Sequence, residues 1–298
     1  MNRQWIVRIS SYGETRCGEV PAEVGLVRRS LRQAISAPKN PKKGEPTMDI
    51  LLVGGLWLDG SVWDRVASAL EPLGHRPVPL TLPGQGDGAA SATLDDQLAA
   101  VLAAVDAAPG RCLVVGHSAA CTLAWLAADR RPERVAGVAL VGGFPTGDGQ
   151  PYADFFEVRD GVMPFPGWDP FDGPDAADLD AEARREFAAA AVPVPGGVAR
   201  GVVRLADERR FEVPVVVVCP EFTPAQAREW IAAGDAPELA RAEHVGFADI
   251  DSGHWPMITR PAELARALAA AADAVRPAAP QSVCLRTTVQ KCSTIRSR

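Results

Sequence analysis

No C-x-x-C pair occurs in this sequence, and its six cysteines (Cys17, Cys112, Cys121, Cys219, Cys284 and Cys292) are scattered along the chain. That spacing excludes the usual zinc frameworks and argues against a disulfide scaffold. Three of the six lie in apolar or helical stretches, where buried free thiols of a reducing cytoplasm are found. Nowhere do apolar residues run for the ~20 positions of a membrane span, and the amino terminus lacks a continuous apolar stretch of signal-peptide length. A cytoplasmic protein with no membrane contact is expected, as a monomer or a homodimer. Metal-ligand spacings and phosphate-binding glycine loops are missing too, so neither a metal nor an organic cofactor is anticipated. Histidine is scarce: only His75, His117, His244 and His254 are available to carry protons.

Basic residues are few in the middle of the chain and crowded at its ends. Residues 1–47 hold nine Lys/Arg against four Asp/Glu, and residues 277–298 hold four against none. Residues 48–276 therefore carry 18 basic and 33 acidic side chains, a net charge of -15. Such a globule repels phosphate backbones, which excludes nucleic acid as a partner, and it disfavours anionic substrates approaching from bulk water. The stretch "SAPKNPKKGEPT" (residues 36–47) is rich in Pro, Lys and Gly, and residues 1–47 read as a flexible basic extension. Met48, where the first convincing strand begins, is a candidate initiator. Residues 277–298 lack periodicity and acidic side chains and read as a flexible tail.

Between those tails, β-branched apolar runs alternate with Ala- and Leu-rich helical stretches. "DILLV", "RPVPLTL", "RCLVV", "VAGVALV", "VPVVVVC" and "HVGFADI" are read as strands. "SVWDRVASALEPL", "TLDDQLAAVLAAVDAA", "AACTLAWLAADR", "TPAQAREWIAAG" and "RPAELARALAAAADAV" are read as helices, with Thr93 and Asp96 as capping residues of the second. Strands apolar throughout belong to a mostly parallel sheet covered by helices on both faces, so the fold class is α/β, doubly wound, in one domain over residues 48–276. The alternation breaks once, at about residues 145–211, in a stretch rich in Pro, Gly and aromatics followed by a helical "DAEARREFAAAA". An excursion of this size is too long for a connection, and a helical lid over the carboxyl ends of the strands is expected.

The segment "VVGHSAAC" ends a strand and starts a helix with no room for a loop. Its G-x-S-x-A pattern places Ser118 on a sharp strand-to-helix turn, with the small Gly116 and Ala120 letting the two elements approach. A serine hydroxyl is a weak nucleophile at neutral pH and needs a base. His254, in "DIDSGHWPM", follows the last apolar strand and precedes the final helix. It therefore lies at the carboxyl edge of the sheet, where open α/β sheets bind ligands.

The order of "GGLWLDGSVW", "GHSAA", a lid and "SGHWP" resembles the α/β-hydrolase superfamily over residues 48–274. The tryptophan-bearing turn, the "GHS" segment and "VCPEFTPAQAREWI" are similar to its branch of small esterases, which includes methylesterases and hydroxynitrile lyases. The resemblance implies an α/β-hydrolase fold with Ser118 as nucleophile, His254 as general base and an oxyanion hole formed by the main-chain amides of Leu56 and Ala119. Family members commonly carry His-Gly where this chain has Gly54-Gly55, so a side chain that usually braces the oxyanion loop is missing. An Asp usually follows the penultimate strand to orient the imidazole. Here Glu221 is the first choice for that acid and Asp148, after the preceding strand, the alternative; Asp249 and Asp251 are too close to His254 in sequence.

A serine at the elbow argues for acyl transfer to water, on a small carboxylic ester or thioester. Trp57, His117, Phe155, Phe156, Phe165 and Trp168 are the candidate substrate-binding residues. The lid aromatics, Phe171 among them, serve either as pocket walls or as the lid's own core. The departures at Gly54-Gly55 and Glu221 keep open a C–C hydrolase or lyase, and a non-catalytic binding protein, on the same scaffold.

Overall fold

Four strands of the main sheet are buried at every residue, and that burial dictates the layering. The computed structural model describes residues 48–276; the expected extension (1–47) and tail (277–298) lie outside the described residues. In chain order the elements are β1 (Asp49–Val53), α1 (Asp64–Leu70), β2 (Arg76–Leu80), α2 (Leu94–Ala107), β3 (Cys112–His117), α3 (Cys121–Arg130) and β4 (Val135–Val141). The chain then enters the long excursion with β5 (Val162–Met163), α4 (Ala181–Ala190), β6 (Val194–Pro195) and α5 (Gly196–Ala199). It returns through β7 (Val215–Cys219), α6 (Pro224–Ala233), α7 (Pro237–Arg241), β8 (Val245–Asp249), α8 (Pro256–Thr259) and α9 (Pro261–Ala274).

The main sheet has six strands in the order β2-β1-β3-β4-β7-β8, every neighbouring pair parallel. Its four inner strands are buried throughout and predominantly apolar because helices cover both faces, whereas the outermost β2 and β8 are only partly buried. The chain runs outward from β1 to β2 and comes back as β3 on the other side of β1. Strand order therefore reverses between β1 and β3, and a crevice opens at their carboxyl ends. The loop after β1 and the turn carrying Ser118 both project there.

Local chemistry sets the helix ends. Thr93 accepts from the Asp96 amide while the Asp96 carboxylate accepts from the Thr93 amide, a reciprocal cap that fixes the start of α2. Thr223 and Gln226 do the same for α6, which stops at Gly234 in the left-handed region (φ 84°). The excursion departs from β4 and contains a short antiparallel pair, β5 with β6, which hydrophobic periodicity did not reveal because each strand is two residues long. Its return is anchored to the core by buried charge. Asp129 at the end of α3 accepts from the Ala206 and Asp207 amides and pairs with Arg210, which also pairs with Glu238. Cys112, Cys121 and Cys219 are buried free thiols, with burial pushing Cys112 and Cys219 up to about 12. Among the described residues, no helix is long and apolar enough to cross a membrane.

Candidate active site

Ser118 follows the last residue of β3 with φ 54°, a left-handed conformation that a β-carbon makes unfavourable by about 1–3 kcal/mol. The turn is compressed against the following helix. A β-carbon on Gly116 would lie 2.2 Å from the Ala120 carbonyl oxygen, so only glycine fits. The loop after β1 presses on the same turn: a β-carbon on Gly55 would lie 2.8 Å from His117 Nδ1 and 3.0 Å from Ser118 Cβ. Glycine at 55 thus brings the Leu56 amide close to the serine. The amides of Leu56 and Ala119 have no hydrogen-bond partner among the described residues, and both residues line the cavity that Ser118 faces.

Trp57 holds the loop after β1. It has φ 64°, its indole Nε1 donates to the Met163 carbonyl at 3.2 Å, and its own carbonyl accepts from the Val192 amide at 2.9 Å. Both partners belong to the 145–211 excursion. The lid therefore clamps the loop, a role with no sequence signal, since nothing marks a tryptophan for a left-handed backbone.

His254 lies beyond β8 and Glu221 just beyond β7, at the same edge of the sheet. His254 Nδ1 donates to Glu221 Oε1 at 2.7 Å, which leaves Nε2 for the serine. Glu221 is almost completely buried, with Oε2 unpaired. Asp148 is elsewhere: its Oδ1 accepts from the Leu205 amide at 2.8 Å, closing an exposed lid loop. Ser118 and His254 line one cavity, although no hydrogen bond joins them among the described residues. Contacts of this kind often tighten only when substrate arrives.

Burial by itself would lower the His254 imidazole. The Glu221 charge and hydrogen bond, helped by the Asp175 charge, outweigh that and hold it above its ordinary value. The sign is testable. In Glu221→Gln the anion that stabilises the imidazolium is gone and burial prevails, so the NMR titration midpoint of His254 should fall from above 6.5 to below it. An unmoved midpoint would contradict the assignment.

His117, expected among the substrate-binding residues, turns its polar atoms inward. Its Nε2 donates to the His254 carbonyl at 2.8 Å and its Nδ1 is buried without a partner. Burial, then the neighbouring His254, push this imidazole well below its usual range. A neutral ring thus supports the backbone of His254 and offers no polar atom to a ligand.

The candidate aromatics divide. Trp57 and Phe155 line the cavity, whereas Phe156, Phe165 and Trp168 do not. Phe165 stacks on Phe171 (6.0 Å between ring centroids) and meets Trp168 and Phe187 edge-on or tilted at 5.2 Å, as the lid's own core. Phe156 packs against Trp57 and Phe171. The cavity, about 920 Å³ with its mouth, is completed by Phe144, Phe171, Phe222, Trp255 and Asp175. Phe144, Phe222 and Trp255 lie next to sheet ends and were within reach of the strand pattern. Asp175 sits in an aspartate-rich stretch in which nothing singles it out.

Residues 50–267 match the Alpha/beta hydrolase family. No curated protein matches the sequence. Among solved structures, the extracellular alpha/beta-hydrolase of a Paenibacillus species superposes with a TM-score of 0.60 at 18% identity, covering 74% of this chain and 97% of its own. A pyrethroid hydrolase from Sphingobium faniae gives 0.58 at 21% identity, covering 76% and 98%. The Arabidopsis methylesterase MES16 gives 0.59 at 14% identity, covering 76% and 99%. Identities this low speak for the fold, and the match over residues 50–267 speaks for the lineage: the chain belongs to the alpha/beta hydrolase family.

Proposed function

We propose that the protein is a serine hydrolase of small carboxylic esters or thioesters, working through an acyl-enzyme on Ser118. The observation that carries this reading is the Glu221–His254 pair, 2.7 Å apart, opening with the strained Ser118 turn onto one largely apolar cavity. A methylesterase and a pyrethroid hydrolase among proteins of the same fold agree with it.

In this mechanism Ser118 Oγ attacks the ester carbonyl carbon as its proton passes to His254 Nε2. The carbonyl oxygen becomes an oxyanion that the Leu56 and Ala119 amides receive, and Glu221 stabilises the imidazolium through Nδ1. Collapse breaks the bond to the leaving alcohol or thiol, which takes the proton from Nε2. Water then attacks the acyl-enzyme, giving its proton to His254, and the carboxylic acid departs as Oγ recovers a proton. Aromatic walls suit an apolar acyl or alcohol group and keep bulk water away from the oxyanion.

Incubation with a fluorophosphonate probe followed by peptide mapping tests nucleophile and competence together, alongside turnover of p-nitrophenyl acetate and butyrate. Labelling at Ser118 with turnover of at least one ester is the expected result. A folded protein that takes up no probe and cleaves neither ester would remove the reading.

A further inference from the structure

Asp175 is the one carboxylate of the cavity wall that nothing in the mechanism uses. It sits in a single turn of the lid, Pro174–Ala176, and is only 7% exposed. Its backbone carbonyl accepts from the His254 amide at 2.8 Å, which ties the turn to the segment carrying the base. Asp175 lines the same cavity as Ser118 and His254, and no side-chain hydrogen bond or ion pair engages its carboxylate among the described residues.

A buried, unpaired carboxylate is unfavourable, and burial pushes this one up to about 6, so at neutral pH it is mostly ionised, at a cost to the empty site. What relieves that cost is a partner of positive charge. None is supplied from within: no lysine or arginine lines the cavity among the described residues, and the His254 imidazole is already bound to Glu221. Asp175 does act on His254 through space, but that leaves its own oxygens unpaired. The rest of the lining is largely apolar and includes the aromatic residues Trp57, Phe144, Phe155, Phe171, Phe222 and Trp255, a residue type that attracts a cation placed over its ring face. Two carboxylates, with no lysine or arginine beside them among the described residues, disfavour an anion. A hydroxyl would satisfy one oxygen without neutralising the charge, whereas an ammonium group answers both the carboxylate and the rings.

We propose that the cavity selects esters bearing a protonated amine or quaternary ammonium group, and that Asp175 is the residue that recognises the cation. The turnover side of this inference rests on the ester-hydrolase reading; the binding side does not. Acetylthiocholine and 3,3-dimethylbutyl thioacetate have the same acyl group and nearly the same shape and differ in charge. Their ratio of kcat/KM cancels any change in the amount of folded protein or in the state of His254, because both meet the same nucleophile and base. The parent should favour the cationic ester at least tenfold, and Asp175→Asn should bring the ratio to within about twofold of unity, with Asp175→Ser as a second variant should the first fold poorly. A parent ratio near unity, or a ratio unchanged in the variants, overturns the proposal. Should neither thioester be cleaved, calorimetric titration with tetramethylammonium chloride, against sodium chloride, decides the site, and the hydrolase reading is judged separately by probe labelling and p-nitrophenyl ester turnover. Saturable binding weakened at least tenfold in the variants upholds it, and no saturable binding to the parent overturns it.

Discussion

Ser118→Ala is expected to lower kcat on p-nitrophenyl esters by about 10⁴-fold or more while leaving the chain folded, because in the proposed mechanism nucleophile and base act as one unit. His254→Ala should cost nearly as much, and the double variant hardly more than either, since removing one member already idles the other. A residue that merely capped a helix would show none of this non-additivity. The backbone supplies a second readout. Ser118 has φ 54°, and alanine at that φ is as strained as serine, whereas glycine is not. Ser118→Gly should therefore be inactive yet more stable than Ser118→Ala by roughly 1 kcal/mol, the relief of strain exceeding the extra entropy of glycine in the unfolded chain. Denaturant midpoints of the two variants measure that difference. Parental turnover in Ser118→Ala, or equal stabilities of the two, would show that the turn does not store strain for a nucleophile.

The scaffold was legible because its signals are local. Apolar runs such as "VAGVALV" and "VPVVVVC" mark inner strands, since only a strand covered on both faces can afford no polar residue. Thr93 with Asp96 announces a helix start within four residues of sequence. The turn at Ser118 shows through small residues at 116 and 120, because the steric demand falls on near neighbours. His254 was accessible through chain order, since it follows the last strand and strand ends converge on one edge, whereas Glu221 was reached through the family resemblance, which expects an acid after the penultimate strand. Other features have no local signature. Whether Phe155 or Phe165 faces the cavity depends on how the lid folds back, and both sit in the same aromatic-rich stretch. Trp57 acquires its left-handed backbone through contacts with Met163 and Val192, more than a hundred residues away. His117 follows the glycine of the elbow and gives no hint that its ring supports the carbonyl of His254. Asp175 is the clearest case, since its environment arises from segments far apart in sequence that meet around the cavity.

The same elbow makes Gly116 the position least able to accept a side chain. A β-carbon there would meet the Ala120 carbonyl oxygen at 2.2 Å, its carbon at 2.5 Å and the Cys121 amide nitrogen at 2.7 Å. These are backbone atoms, so no rotamer change relieves the overlap. Nor can α3 retreat: nine of its ten residues are buried, and its far end is held by the Asp129 network. Small-to-large changes in packed interiors cost about 1–3 kcal/mol where side chains can adjust, and this one should reach or exceed about 3 kcal/mol. For a domain of this size that is a fall in Tm of about 6 °C or more. Activity should drop further than stability explains, about 10²-fold even where the variant is fully folded, because a shift of about 1 Å in the serine spoils its alignment with base and oxyanion amides. Gly147→Ala is the matched control, since a β-carbon there meets nothing within 4 Å. It should stay within about 0.5 kcal/mol of the parent. Were Gly116→Ala to match Gly147→Ala in Tm and turnover, the close approach of β3 and α3 would not exist, and the left-handed serine between them would lose its mechanical cause.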